Sequence, residues 1–274
     1  MSEQAAGTRA RVLVVGGGVM GGTLVTALLA AGWSPRDVEV VETDLARAEI
    51  LRRSHGVATS ASAAAAAPRA DIVLLAVKPD VVGAVLAEVA PGLRHGAPVI
   101  SVAAGVPLAF YEQRLPAGTP VVRVMPNTPA VIGKGAAAIA GGAAATADHL
   151  ALAETILGPT GLVVRVDEKH LDAVTAISGS GPAYAFYLVD AMAEAGVLLG
   201  LPRDLATRLA AATVEGAAAL VTSSGEHPVV LRERVSSPGG TTVAAVAELD
   251  AHGVRAGVVA AARAAAARSA ELGR

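Results

Sequence analysis

The sequence predicts two domains in one chain: a doubly wound α/β domain with a mostly parallel sheet over residues 1–166, then an all-α domain over residues 167–274. Three observations predict this. Short β-branched runs alternate with helical stretches as far as Val166, strand-like runs stop there, and a glycine-rich turn follows the first run. A length of 274 residues also exceeds one average domain and falls short of three.

Arg11–Val15 is a β-branched run, followed by Gly16-Gly17-Gly18 and an apolar helical stretch to Ala31. Val38–Val41 reads as a second strand. Ala61–Ala67 is a polyalanine tract ended by Pro68, and alanine is the best helix former, so a helix is expected. Asp71–Val77 is continuously apolar, as a strand buried on both faces should be, and Pro98–Val102 and Pro120–Val124 repeat the pattern. Ala136–Ala140 and Leu162–Val166 read as further strands. Strands separated by helices imply a parallel sheet with right-handed crossovers. Beyond Asp167, Leu171–Ile177, Pro182–Leu199, Arg203–Thr222, Val229–Val235, Thr241–Leu249 and Val254–Leu272 read as helices. Their faces are apolar nearly all round, which suits burial between neighbours or between subunits.

Hydrophobic residues make up 53% and charged residues 17%, the reverse of a disordered balance. A formal charge of −2 with no basic run points to neither nucleic acid nor an anionic membrane. With no cysteine, disulfide scaffolds, thiolate nucleophiles and zinc–thiolate sites are excluded, and a reducing, cytoplasmic location is expected. Residues 1–9 lack the apolar core of a signal peptide. Apolar stretches are broken by Gly, Pro or a charge before the ~18 residues of a membrane span. The six histidines show no H-x-x-x-H spacing, and no metal is expected.

Gly16-Gly17-Gly18-Val19-Met20-Gly21 fits G-x-G-x-x-G between a strand and a helix, the context a dinucleotide-binding Rossmann turn requires. Gly16 makes the tight turn, Gly18 admits a pyrophosphate to the backbone, and Gly21 permits close helix–strand packing. The helix start supplies free N–H groups. The second strand ends in Val41-Glu42-Thr43-Asp44-Leu45-Ala46-Arg47, where Thr43 and Arg47 are candidate cofactor contacts. An acid there favours the free ribose 2′-hydroxyl of NAD, whereas an arginine accepts the 2′-phosphate of NADP. Glu42 argues one way and Arg47 the other, so NADPH and NADH both stay open. Lys78 stands at a strand's C-terminal end, where open α/β sheets bind ligands.

Pro238-Gly239-Gly240 is a permissive turn before a helix beginning at Thr241-Thr242. Unpaired N–H groups at that helix start make an anion site, and a Thr hydroxyl such as that of Thr242 can both donate and accept. The plainer alternative for both threonines is N-capping. Ser178-Gly179-Ser180-Gly181-Pro182 has no histidine partner, so Ser178 is not read as a nucleophile.

From Ala76-Val77-Lys78-Pro79 onward the chain resembles the pyrroline-5-carboxylate reductase family. Ala103-Ala104-Gly105, Met125-Pro126-Asn127-Thr128-Pro129, Asp172-Ala173-Val174-Thr175, Ser178-Gly179-Ser180-Gly181-Pro182-Ala183-Tyr184 and Ser236-Ser237-Pro238-Gly239-Gly240-Thr241-Thr242 follow in that family's order. The likeness runs from Gly16 to about Leu249. It implies that the glycine loop, including Gly17, Val19 and Met20, cradles the pyrophosphate of NADPH or NADH. Ala76, Val77, Lys78 and Pro79 would lie along the nicotinamide ribose, with Ala103, Ala104 and Asn127 near the nicotinamide. Glu168, Ser178, Gly240, Thr241 and Thr242 would meet the substrate. The second domain would be a dimerisation domain, with active sites at a homodimer interface, and larger rings of dimers also occur in the family. Three departures stand out, one being that the end of the second strand, Glu42 to Arg47, is not a standard NADP pattern. Val19 replaces a frequent Asn or Ser, and Arg234 replaces a frequent Asn.

The reaction implied is hydride transfer from the nicotinamide C4 to the imine carbon of 1-pyrroline-5-carboxylate, giving proline. A protonated imine is already electrophilic, so no strong general acid is obligatory, and Glu168 is assigned substrate binding or electrostatic stabilisation. One rival is a hydroxyacid dehydrogenase on the same plan, for which Lys169 and His170 offer a base, and another cyclic imine reductase on the same fold is a further alternative. A second is a non-catalytic NADP-binding regulator.

Overall fold

The computed structural model describes residues 10–273; the leading stretch without a signal-peptide core, residues 1–9, lies outside them. Within it the chain divides into two compact units, residues 10–179 with 266–273, and Ser180–Ala265.

The first unit runs β1 (Val12–Val15), α1 (Val19–Ala30), β2 (Val38–Val41), α2 (Leu45–His55), β3 (Ala58–Ser60), α3 (Ala63–Ala66), β4 (Ile72–Leu75), α4 (Val82–Val89), β5 (Val99–Ser101), α5 (Leu108–Glu112), β6 (Val121–Met125), β7 (Gly135–Gly141), α6 (Ala147–Leu157), β8 (Gly161–Arg165) and α7 (Leu171–Val174). The strands form one sheet ordered β3-β2-β1-β4-β5-β6-β7-β8, parallel everywhere except between β6 and β7. The central strands β1 and β4 are buried and apolar on both faces because helices cover both. Leu13 and Val15 pack with Leu75, Leu86 and Tyr111 on one side. Val12 and Val14 pack with Leu24, Leu28 and Ile156 on the other. The strand order reverses between β1 and β4, so the chain opens a crevice at the carboxyl ends of these strands, where this architecture binds ligands.

Local chemistry sets the helix ends. The Asp44 side chain caps α2 by accepting from the N–H groups of Ala46 and Arg47, and α2 stops at Gly56, whose φ of +70° is left-handed. Helix α1 begins at Gly18 with no side-chain cap.

The structure adds three features to the sequence reading. The edge strand β3 has no apolar run, since Ala58, Thr59 and Ser60 are not fully buried, and pairing with β2 alone creates it. The alanine tract is α-helical only over Ala63–Ala66 and tightens to 3-10 geometry at Ala67–Arg69, around Pro68. The helix expected over Leu171–Ile177 is α-helical to Val174 and then a π turn, Thr175–Gly179.

The second unit holds α8 (Gly181–Leu198), α9 (Arg203–Ser224), α10 (Pro228–Arg234), α11 (Thr241–Ala251) and most of α12 (Val254–Leu272), with no strand among its residues. The short link from Leu198 to Arg203 makes α8 and α9 neighbours, and they approach closely: a Cβ on Gly196 would lie 2.8 Å from the Ala206 Cβ. By length and composition α9 meets the criteria for a membrane span, at a mean hydropathy of 1.2. It carries Arg208 and Glu215 in its interior, and such charges are costly in hydrocarbon, so a helix packed against protein is the better account.

The approach of α1 to the turn after β1 admits no side chain at Gly21, where a Cβ would collide with the Gly16 carbonyl oxygen. Gly21→Ala is expected to cost about 3 kcal/mol or more, a fall in Tm of roughly 6–12 °C. An unchanged thermal unfolding curve would refute this packing.

Candidate cofactor and substrate sites

Three sequence-predicted segments meet at the carboxyl ends of β1, β2 and β4. Gly16 has φ +100°, and a Cβ there would lie 2.7 Å from the Ala76 carbonyl oxygen and 2.9 Å from Val77 Cγ1. The Gly16 N–H donates to the Val41 carbonyl at 2.9 Å, and the Ala76 N–H to the Val15 carbonyl at 2.8 Å. Gly18 differs from its neighbours: its backbone is extended and a Cβ would meet nothing within 4 Å. The first-turn N–H groups of α1, at Val19, Met20 and Gly21, therefore stand behind open space, a fit for an anionic pyrophosphate. Lys78 and Pro79 are exposed beside this crevice, and Val77 packs on the core.

At the end of β2, Glu42 is buried while Thr43 and Asp44 are exposed. Glu42 Oε2 accepts from the Gly17 N–H at 3.0 Å and from Arg47 Nη1 at 3.0 Å. Its Oε1 accepts from the Asp44 N–H at 2.8 Å. Burial pushes the Glu42 carboxyl up, but the bonds from Asp44, Arg47 and Gly17 outweigh it and hold the group below the usual carboxylate range. Arg47, on the first turn of α2, stays half exposed.

The remaining first-unit candidates are held by a polar network that periodicity does not reveal. Ser101, fully buried, accepts from the Ala103 N–H at 3.3 Å and shares a 2.7 Å hydrogen bond with the buried Tyr111 hydroxyl. Burial pushes the Tyr111 phenol up. Ala103 is thus pinned and Ala104 exposed. Asn127 donates to the Ser178 carbonyl at 3.0 Å and accepts from the Ala136 N–H at 2.8 Å, tying the π turn to the sheet. The Ser178 hydroxyl donates back to the Val174 carbonyl at 3.1 Å. Glu168 Oε1 accepts from the Leu108 N–H at 2.7 Å and from the buried Arg123 at 2.9 Å. Sequence reasoning missed Arg123, Ser101 and Tyr111, whose only signal is polarity inside otherwise apolar runs. Lys169 pairs with Asp167 at 3.4 Å, and His170 is exposed.

In the second unit, Gly240 is the N-cap of α11 and no side chain caps it. Thr241 and Thr242 are the first two helical residues, so neither fills the capping position. Arg234, the departure before Val235, pairs through both terminal nitrogens with Glu226, at 2.7 Å to Oε1 and 2.6 Å to Oε2. Glu168 and Ser178 belong to the first unit, and Gly240, Thr241 and Thr242 to the second. Among the described residues no group of three or more His, Cys, Asp or Glu could hold a metal ion.

Residues 168–272 match the family model for pyrroline-5-carboxylate reductase dimerisation, and residues 11–105 that for NADP oxidoreductase, coenzyme F420-dependent. The chain is 44% identical over 266 residues to a pyrroline-5-carboxylate reductase of Corynebacterium melassecola, covering 96% of this chain and 98% of that one. It is 40% identical to one of Arabidopsis thaliana, covering 96% and 95%. The fold matches a solved pyrroline-5-carboxylate reductase of Coxiella burnetii with a TM-score of 0.92 at 35% identity, covering 98% of this chain and 100% of that one. It matches the Plasmodium falciparum pyrroline carboxylate reductase with NADP bound at 0.86 and 27% identity, covering 97% and 99%.

A branched side chain at Gly18 has room in the protein but fills the space before the α1 start. Gly18→Val is expected to fold normally and to weaken NADPH binding by roughly tenfold to a hundredfold or more, the loss of at least one charge-assisted phosphate bond. Equilibrium fluorescence titration measures it, and unchanged NADPH affinity would remove the loop from the site.

Proposed function

The chain belongs to the pyrroline-5-carboxylate reductase family and reduces 1-pyrroline-5-carboxylate to proline with NAD(P)H; from that premise we propose how its own residues divide the work. The observation that carries the proposal is a pair of glycine-started helices with no side-chain cap, α1 at Gly18 and α11 at Gly240. Each offers backbone N–H groups to an anion.

The α1 start, with Gly16, Gly17, Gly18, Val19, Met20 and Gly21, holds the pyrophosphate. Thr43 and Arg47 lie towards the adenosine ribose, and the half-exposed guanidinium of Arg47 favours NADPH over NADH. Ala76, Val77, Lys78 and Pro79 line the nicotinamide ribose, while Ala103, Ala104 and Asn127 position the ring. The bound reduced nicotinamide supplies the hydride. At α11 the N–H groups of Gly240, Thr241 and Thr242 hold the substrate carboxylate, and the Thr242 hydroxyl bonds the imine nitrogen. Glu168, with Oε1 committed to Leu108 and Arg123, leaves Oε2 for the cationic imine; Ser178 adds a polar contact to the substrate.

The segment 167–274, of which residues 167–179 and 266–273 belong to the first unit, supplies the substrate-binding and dimerisation functions. Phe186, Tyr187, Leu198 and Leu199 are 66%, 80%, 82% and 85% exposed, large side chains of the kind that a partner surface covers. We infer a homodimer, open to assembly into a ring of dimers.

Purified chain mixed with the imine and NADPH should deplete the reduced-nicotinamide absorbance, with no oxidation of hydroxyacids in the reverse assay. Oxidation of a hydroxyacid without imine reduction would reject the assignment. Thr242→Val keeps shape and β-branching but removes the hydroxyl. If the bond tightens as charge redistributes at nitrogen, kcat and kcat/KM should fall together, by roughly fivefold to a few hundredfold. Lower thermal stability with unchanged kinetic constants would make Thr242 a structural residue only. Light scattering should report a dimer at micromolar concentration, and an active monomer there would refute the assembly.

A further inference from the structure

We propose that Glu42 and Arg47 form a shared-charge selector that sets the choice between NADPH and NADH, with Glu42 opposing the 2′-phosphate and Arg47 attracting it. The proposal rests on the reading that the crevice above β1, β2 and β4 takes a nicotinamide dinucleotide.

An acid at the end of β2 ordinarily accepts from the ribose 2′-hydroxyl and excludes a 2′-phosphate. Here that carboxylate is not free. It is 7% exposed, and its oxygens already accept from two backbone N–H groups and from Arg47. A carboxylate so placed must be paired, and Arg47 is the only cation that touches it among the described residues. The pairing uses Nη1 alone. Nη2 lies 3.5 Å from Asp44 Oδ2, and Asp44 is itself engaged in capping α2 through the N–H groups of Ala46 and Arg47, at 2.9 and 3.1 Å. Arg47 therefore keeps donors towards solvent, 48% exposed, while two carboxylates lie against it.

The sign of each substitution follows. With both residues present, the guanidinium offsets Glu42, and a 2′-phosphate is accepted with modest preference. Without Arg47, the buried Glu42 carboxylate stands unopposed, so a 2′-phosphate becomes a liability rather than merely losing a contact. Without the Glu42 charge, Arg47 is released from its partner and the 2′-phosphate gains. Because the Gly17 N–H shares the same Glu42 oxygen as Arg47, the selector is tied to the pyrophosphate loop, and both nucleotides feel its position.

Binding decides this without turnover. The full-length protein is titrated calorimetrically with 2′,5′-ADP and with 5′-AMP, which differ by the 2′-phosphate, and the ratio of the two affinities is read. Arg47→Ala, at a half-exposed position, should lower the ratio by roughly ten- to a hundredfold and carry it below one. In that variant added salt should raise the ratio back towards one by screening the repulsion. Glu42→Gln should raise the ratio above that of the parent. A ratio of one in Arg47→Ala, insensitive to salt, would show that Glu42 takes no part and overturn the selector. Equal changes for both nucleotides in each variant would overturn it too, leaving the pair as a strut for the glycine loop. Should Glu42→Gln fail to fold, the double variant Asp44→Asn/Arg47→Ala carries the decision, since Asp44 also lies against Arg47: a ratio still below one keeps Glu42 as the opposing charge, and a ratio of one assigns the repulsion to Asp44 and overturns the selector. Failure of the parent to bind either nucleotide would instead reject the cofactor reading itself.

Discussion

The backbone contact between Gly21 and the Gly16 carbonyl governs the rest of the first unit. It sets α1 directly against the turn after β1, with no side chain between them. That approach aims the start of α1 at the place where the strand order reverses, between β1 and β4. Val77 and Ala76 then pack on Gly16, so the loop after β4 is positioned by the same turn. The N–H of Gly17 reaches Glu42, so the end of β2 is positioned by it as well. One steric constraint thus aligns three loops that are distant in sequence, and a ligand spanning them meets a preformed surface.

The parts of this arrangement that depend on local rules were legible in the sequence. The glycine spacing and the continuous apolar strands each follow from a conformational preference within a few residues. What escaped depends on partners far along the chain. Arg123 lies in an apolar strand and looks anomalous until Glu168, 45 positions later, is seen to neutralise it. Tyr111 reads as an ordinary core aromatic until its hydroxyl is found on Ser101. The π turn at Thr175–Gly179 has no compositional mark, and Asn127, 51 positions before Ser178, holds it from outside the helix. Strand β3 likewise exists because β2 offers an edge, not because Ala58, Thr59 and Ser60 favour extension.

The same network changes how several site residues act. Asn127 and Glu168 are placed near the reaction by family resemblance, yet each already has side-chain bonds inside the first unit. A group committed on one side is held in a single orientation, which is what a positioned contact requires. Arg234 shows the same economy in the second unit. Its charge is taken up by Glu226, so it brings no uncompensated cation to the turn that precedes α11.

Glycine at position 18 is the most telling choice. Gly16 is required by its positive φ and Gly21 by collision, but Gly18 has extended backbone and no neighbour for a Cβ. The fold alone would accept a serine or aspartate there, and such a residue would cap α1 for about 1 kcal/mol. Helices α2 and α3 in the same unit are capped in this way, by Asp44 and Ser62. Leaving α1 bare forgoes that stabilisation with no steric gain for the protein. The forgone cap is recovered only when an anion takes the same N–H groups, and a side chain at position 18 would stand in its path. Gly240 at α11 is different, because a Cβ there would lie 3.0 Å from the Ser237 carbonyl oxygen, so the turn itself disfavours a larger cap. The two bare helix starts therefore have different origins: the turn accounts for Gly240, whereas nothing in the protein's own packing accounts for Gly18.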